Sequence, residues 1–230
     1  MGPSNDRTCF LAGVAGNLND GAASAQGGLA AAARVYTSGG HWFLNASGGW
    51  AVNGIATGNP VNAHAVCIGT TANLTGGFIG GPGNPVNQKA LIAPATANRQ
   101  CFLADVRGYR GSWQSSAASV RTYVENGNWY LEAKNIGTAV DSSLFAALCV
   151  DVPPGSWVGT GAWGAANPGS GTVNVAFESN VMACGLTGIQ GPLTFNDWAD
   201  GALLNWPASS PGTWTMSLKD GKTGFVTCVE

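Results

Sequence analysis

Charge is what this sequence has least of. Asp, Glu, Lys and Arg together make up 10% of 230 residues, against roughly 25% in an average soluble protein. The ten Lys and Arg form no run, and the net charge is −2. That excludes the basic footprint expected of a nucleic-acid binder and the polybasic patch expected of an anionic-membrane binder. Long apolar runs are also missing: the longest is short and broken by Gly, so no transmembrane helix is expected. The start, MGPSNDRTCF, has neither the basic nor the apolar region of a signal peptide. The expectation is a leader already removed, or exit by lysis or a leaderless route, with Met-Gly-Pro-Ser partly a cloning remnant. Catalytic signatures are absent too. There is no GxSxG, HExxH, SxxK or CxxC, and strings such as GFIGGPG follow no βαβ pattern.

What is present is glycine, 35 residues, within a chain that is 45% apolar. A Gly-rich, charge-poor composition of this kind suits a β-rich secreted, surface or virion protein better than a cytosolic enzyme. The chain also repeats itself. CFLAGVAGNL opens at Cys9, CFLADVRGYR at Cys101 and CGLTGIQGPL at Cys184. Gly40-His41-Trp42, Gly127-Asn128-Trp129 and Gly212-Thr213-Trp214 follow in turn. Each copy then closes on Cys67-Ile68, Cys149-Val150 or Cys228-Val229. The first two copies continue into spacers of 33 and 34 residues, each with an Asn-Pro (Asn84-Pro85, Asn167-Pro168) and an alternating stretch (Lys89–Ala93, Thr172–Phe177). The third copy has no such spacer.

Local chemistry predicts strands. RVYTSGGHWFL and RTYVENGNWYL read as strand, tight turn, strand, because Gly-Gly and Asn-Gly supply positive φ. SSPGTW holds the same place in the third copy. GGLAAAARV reads as a small-residue strand or its approach, and SSLFAALCV as the strand that ends its unit. Each unit is then an antiparallel module whose first and last strands pair, with the repeated Trp in its core.

Two cysteines per copy point to the pairs Cys9–Cys67, Cys101–Cys149 and Cys184–Cys228, although six cysteines alone allow many connectivities. The other reading is buried reduced thiols. An even count in such a chain suits an oxidising compartment. No metal site and no cofactor is expected, since His41 and His64 are not at ligand spacing to any cysteine. His41 reads as a polar turn residue and His64 as a packed or rim histidine. Asp197 with Asp200, or Glu125 with Glu132, could form a carboxylate pair, but twelve acids make some such pair inevitable. DWAD is not an EF-hand loop.

Nine tryptophans are present, and six lie outside the repeat: Trp50, Trp113, Trp157, Trp163, Trp198 and Trp206. They fall in Gly-, Ser-, Asn- or Pro-rich segments that read as loops. An indole among small polar residues can stack on the apolar face of a sugar while neighbouring amides bind its hydroxyls, so these six are the candidate ligand-binding residues. Equally, a loop Trp can fold back over a module end or fill an interface.

The pattern Cys-Phe-Leu-x-x-Val-x-Gly, Gly-x-Trp-x-Leu, Cys-Val resembles repeats of uncharacterised bacterial surface or secreted proteins and of phage tail-fibre proteins. The third copy departs from it at Gly185 and Met216. The resemblance implies a surface setting and a recognition or scaffold role, and it carries over no catalytic residue. The expected fold is all-β, with three internal repeats over 1–98, 99–181 and a truncated 182–230. These are tandem modules packed side by side, in preference to one pseudo-threefold body. The expected function is non-enzymatic recognition of a surface glycan or receptor, outside the cell or on a virion, as an adhesin, lectin or receptor-binding fibre. A self-assembling structural subunit with a homo-oligomer or fibre partner is the alternative, and a glycan-active hydrolase a third reading. Nucleic acid and direct membrane insertion are not expected.

Overall fold

The computed structural model describes residues 1–18, 31–48, 61–69, 75–79, 88–108, 112–137, 145–156, 158–164, 170–177, 183–194, 200–207 and 212–230. Among them are sixteen strands and no helix, arranged in three antiparallel sheets.

The six cystine-bearing strands pair two by two. β1 (Arg7–Gly16) pairs with β4 (Val61–Gly69), β7 (Arg99–Gly108) with β10 (Phe145–Asp151), and β13 (Ala183–Gln190) with β16 (Thr223–Val229). In each pair the two cysteines stand directly opposite: Cys9 with Cys67, Cys101 with Cys149, Cys184 with Cys228. All three are disulfide-bonded, and no described cysteine is free. β1, β7 and β13 lie against one another and are buried along almost their whole length. Burial on both faces is why they read as near-continuous apolar runs rather than alternating ones. Each slips register by one residue, three positions after its cysteine, at Ala12, Ala104 and Thr187. Such β-bulges bend and twist a strand.

The hairpins form where the turn residues dictate. β2 (Ala31–Ser38) turns into β3 (His41–Ser47) through Gly39 and Gly40, at φ 53° and 75°. β8 (Ser119–Glu125) turns into β9 (Asn128–Lys134) through Asn126 and Gly127, at φ 49° and 75°. β14 (Gly201–Asn205) pairs with β15 (Thr213–Lys219). Trp42, Trp129 and Trp214 on these hairpins are all buried.

The hairpins do not join the cystine strand that precedes them in the chain. β2–β3 extends β7, β8–β9 extends β13, and β14–β15 returns to extend β1. Spacer strands complete the sheets. β5 (Thr75–Ile79) flanks β10, β6 (Gln88–Pro94) flanks β9, β11 (Val158–Gly164) flanks β16, and β12 (Ser170–Phe177) flanks β15. The sheet orders are β12-β15-β14-β1-β4, β3-β2-β7-β10-β5 and β11-β16-β13-β8-β9-β6. Every sheet therefore mixes strands from at least two of the ranges 1–98, 99–181 and 182–230. This replaces the side-by-side arrangement with one interleaved body, because a lone cystine pair would leave the inner edge of its central strand unpaired.

Met1–Ser4 lies against the turn between β2 and β3. Pro3 bridges His41, Ser4 N–H donates to Gly40 O (2.9 Å), and Trp42 N–H donates to Gly2 O (3.0 Å).

Candidate functional site

Of the six tryptophans singled out, Trp50, Trp157 and Trp198 lie outside the described residues, as does Asp197. The other three have three different settings. Trp113 has 0% exposure. Its ring meets Phe145 edge-on at 5.9 Å, and its Nε1–H donates to Arg107 O (3.1 Å). Its backbone bonds Ile136 and Leu193 across the end of the body. This corrects its reading as a ligand contact: the loop is real, but it folds back and seals the core. Trp163 is half-buried on β11, where its ring lies over Gly161, so closely that a Cβ there would come within 2.2 Å of it. Trp206 is 60% exposed.

Trp206 follows the last residue of β14 and stands edge-on to Trp214 of β15, with ring centroids 4.7 Å apart and planes at 64°. Trp214 is itself 2% exposed, so the outer indole rests on a ring fixed in the core. Beside it opens a groove of about 520 Å³, within the usual size range of small-ligand sites. β4 supplies Ala63–Val66 to its wall, β14 supplies Leu204 and Asn205, and β3 supplies Leu44. His64 Nδ1 lies 3.0 Å from Leu204 O. A carbonyl only accepts, so Nδ1 carries a hydrogen in this contact. Asn205 Nδ2 donates to Ser217 Oγ (2.9 Å). The groove thus offers an aromatic face, an imidazole and an amide.

A second, smaller groove of about 300 Å³ lies over the matching strands of another sheet. It is lined by Thr122–Val124 of β8, Trp129 of β9 and Phe225–Thr227 of β16. There β11 closes one side with Thr160–Ala162. Beside β4 no described strand takes that place, and the first groove is correspondingly wider.

The acids named in the sequence are occupied elsewhere. Glu125 is paired with Lys89, whose ammonium also sits 4.0 Å from the centre of the Tyr130 ring. Glu132 accepts from Lys134 (2.9 Å) and Arg121 (3.3 Å). Burial pushes its carboxyl up, but these two cations outweigh that and hold it below the ordinary value. Asp200 is fully buried against Lys222. His41 is an exposed turn residue with Nδ1 3.0 Å from Gly39 O. No group of three or more metal-ligating side chains occurs among the described residues.

Trp206 is legible in the sequence as a candidate, whereas His64 reads there as a packed or rim histidine. Its place beside Trp206 depends on β14 crossing to β1, which no local signal encodes. No family model and no curated protein matches this chain.

Proposed function

We propose that this chain is a non-enzymatic recognition protein that binds a neutral glycan in the Trp206 groove. The carrying observation is Trp206 itself, a large indole 60% exposed to solvent yet braced on the buried ring of Trp214. An exposed aromatic costs solvation unless something covers it, and a sugar's C–H face is one suitable cover. Asn205 and His64 supply hydrogen-bonding groups beside it. Three disulfides fit an oxidising, extracellular environment. The reading adds a surface or virion location and a body built from three copies of one β unit. Glycan-array screening followed by calorimetry on the best hit is the test. Binding by the native protein and loss in Trp206→Ala at unchanged melting temperature is the expected result. Retained affinity in the variant would sink the assignment.

A self-assembling structural subunit is the second reading. Phe43 and Leu44 of β3 are exposed at 44% and 38%, and β4 has no outer neighbour among the described residues. Both features recur on surfaces that pair with another chain. Light scattering across a concentration series separates the two: a constant monomer mass removes the second reading.

A further inference from the structure

Asp200 and Lys222 are the one described ion pair with no exposed surface on either side chain. Lys222 Nζ contacts Asp200 Oδ1 directly, while Asp200 Oδ2 is buried without a hydrogen-bond partner. Both residues are anchored. The Asp200 carbonyl accepts Gly16 N–H (2.9 Å) at the head of β14. Lys222 follows the left-handed Asp220–Gly221 turn, and its backbone packs closely against Gly191, where a Cβ would sit 3.2 Å from Lys222 Cα. The charged groups around the pair are Asp220 and Lys219, and Lys222 Nζ also donates to the Asp220 carbonyl (3.3 Å).

An ammonium and a carboxylate both stripped of water are costly, and a half-satisfied carboxylate more so. Burial pushes the Asp200 carboxyl up, while Lys222 pulls it down. Passing one proton along the Nζ–H···Oδ1 contact leaves a neutral amine against a neutral carboxylic acid. That sets an amine nitrogen beside the carboxyl whose carbon it would attack, and holding two such groups together raises their effective molarity.

We propose that Asp200 and Lys222 are joined by an intramolecular amide bond. The Nζ lone pair adds to Cγ of the acid. The Nζ–Cγ bond forms and one Cγ–O bond breaks. The departing oxygen leaves as water, carrying the acid proton and one amine proton. No oxidant, reductant or cofactor is needed. The product is a neutral amide, which removes both buried charges and ties the head of β14 to the turn before β16, 22 residues along the chain. Unlike the three disulfides, the link survives reduction.

The test is peptide mapping of the native protein after reduction, alkylation and denaturation. The expected intact mass is one water below that of the sequence. The expected digest contains a branched peptide carrying Asp200 and Lys222, with no tryptic cleavage after Lys222. Lys222→Arg restores the full mass. A full native mass with Asp200 and Lys222 in separate linear peptides overturns the proposal. So does a water loss that persists in Lys222→Arg and is opened by hydroxylamine, which marks a succinimide at Asp200-Gly201 or Asp220-Gly221. The native map decides the matter even if the variant does not fold.

Discussion

The ring of Phe10 lies flat on the ring of Phe102, with centroids 3.9 Å apart and planes at 7°. Each phenylalanine follows its cysteine directly, on β1 and β7. The residue in the same place on β13 is Gly185, and a Cβ built there would fall 2.4 Å from Phe10 and 2.7 Å from Phe102. Glycine on β13, where β1 and β7 carry phenylalanine, is therefore a packing requirement. Three central strands converge, two rings fill the space, and the third strand can supply only a hydrogen.

Adding a methyl at that point should be felt by the whole fold. Gly185→Ala is expected to lose about 1–3 kcal/mol through overpacking, and Phe10→Gly at least the roughly 3–5 kcal/mol of a Phe-to-Ala cavity. The double variant Phe10→Gly, Gly185→Phe moves one ring to the third strand and should recover more than half the combined loss. Urea unfolding of the native protein, the single variants Phe10→Gly and Gly185→Phe, and the double variant measures this, the combined loss being that of these two singles. Strict additivity in the double variant would show that the three positions do not share one space.

Trp113 and Trp206 make a matched pair of indoles with opposite roles. Trp113→Ala empties a fully buried site and should cost about 3–5 kcal/mol. Trp206→Ala, at a site mostly exposed, should cost well under that, of the order of the ±0.5 kcal/mol seen at surface positions, plus whatever its edge contact with Trp214 contributes. Thermal melts of both variants check this without any ligand.

The parts of this fold legible in the sequence are those encoded within a few residues or by repetition. Asn126-Gly127 and Gly39-Gly40 announced their turns, and two cysteines per repeat announced their pairing. Lys89–Ala93 and Thr172–Phe177 alternate as strands should, and both lie within spacer strands. Hairpin destination was not legible. β8–β9 presents the same chemistry to β7 or to β13, and only closure of the whole body selects β13. β11 was also missed. Gly159, Gly161 and Gly164 made it read as a loop, but Gly161 is the place where the Trp163 ring lies down on its own strand. Exposure decided the tryptophans, and exposure follows from tertiary packing that small polar neighbours do not reveal.

Glu132 should make stability fall in acid. Burial would raise its carboxyl, but Lys134 and Arg121 outweigh this and leave it below 4.5. The folded state thus binds fewer protons than the unfolded state. The associated stabilisation is fully present above 4.5 and is lost as pH falls through the lowered value. Both cations are partly exposed, so its size is on the order of 1 kcal/mol. Glu132→Gln should flatten the stability profile between about pH 5 and pH 3 relative to the native protein. Denaturant midpoints at a series of pH values provide the comparison, and parallel profiles would remove Glu132 from the account.

The three disulfides should not open together. Cys101 and Cys149 are fully buried and Cys184 and Cys228 nearly so, whereas Cys67 keeps part of its surface. The reason lies in the sheet order. β10 is flanked by β5 and β16 by β11, but β4 is the outermost described strand of its sheet. Edge strands open locally at lower free energy than interior ones, and exchange requires a thiolate to reach the sulfur. Under graded reductant without denaturant, Cys9 and Cys67 should be the first pair to take up an alkylating label, with the other four cysteines labelled only as the protein unfolds. Mass spectrometry of peptides from successive time points reads the order directly. Simultaneous labelling of all six would mean that β4 is held as firmly as β10 and β16, and that its outer edge is covered in solution.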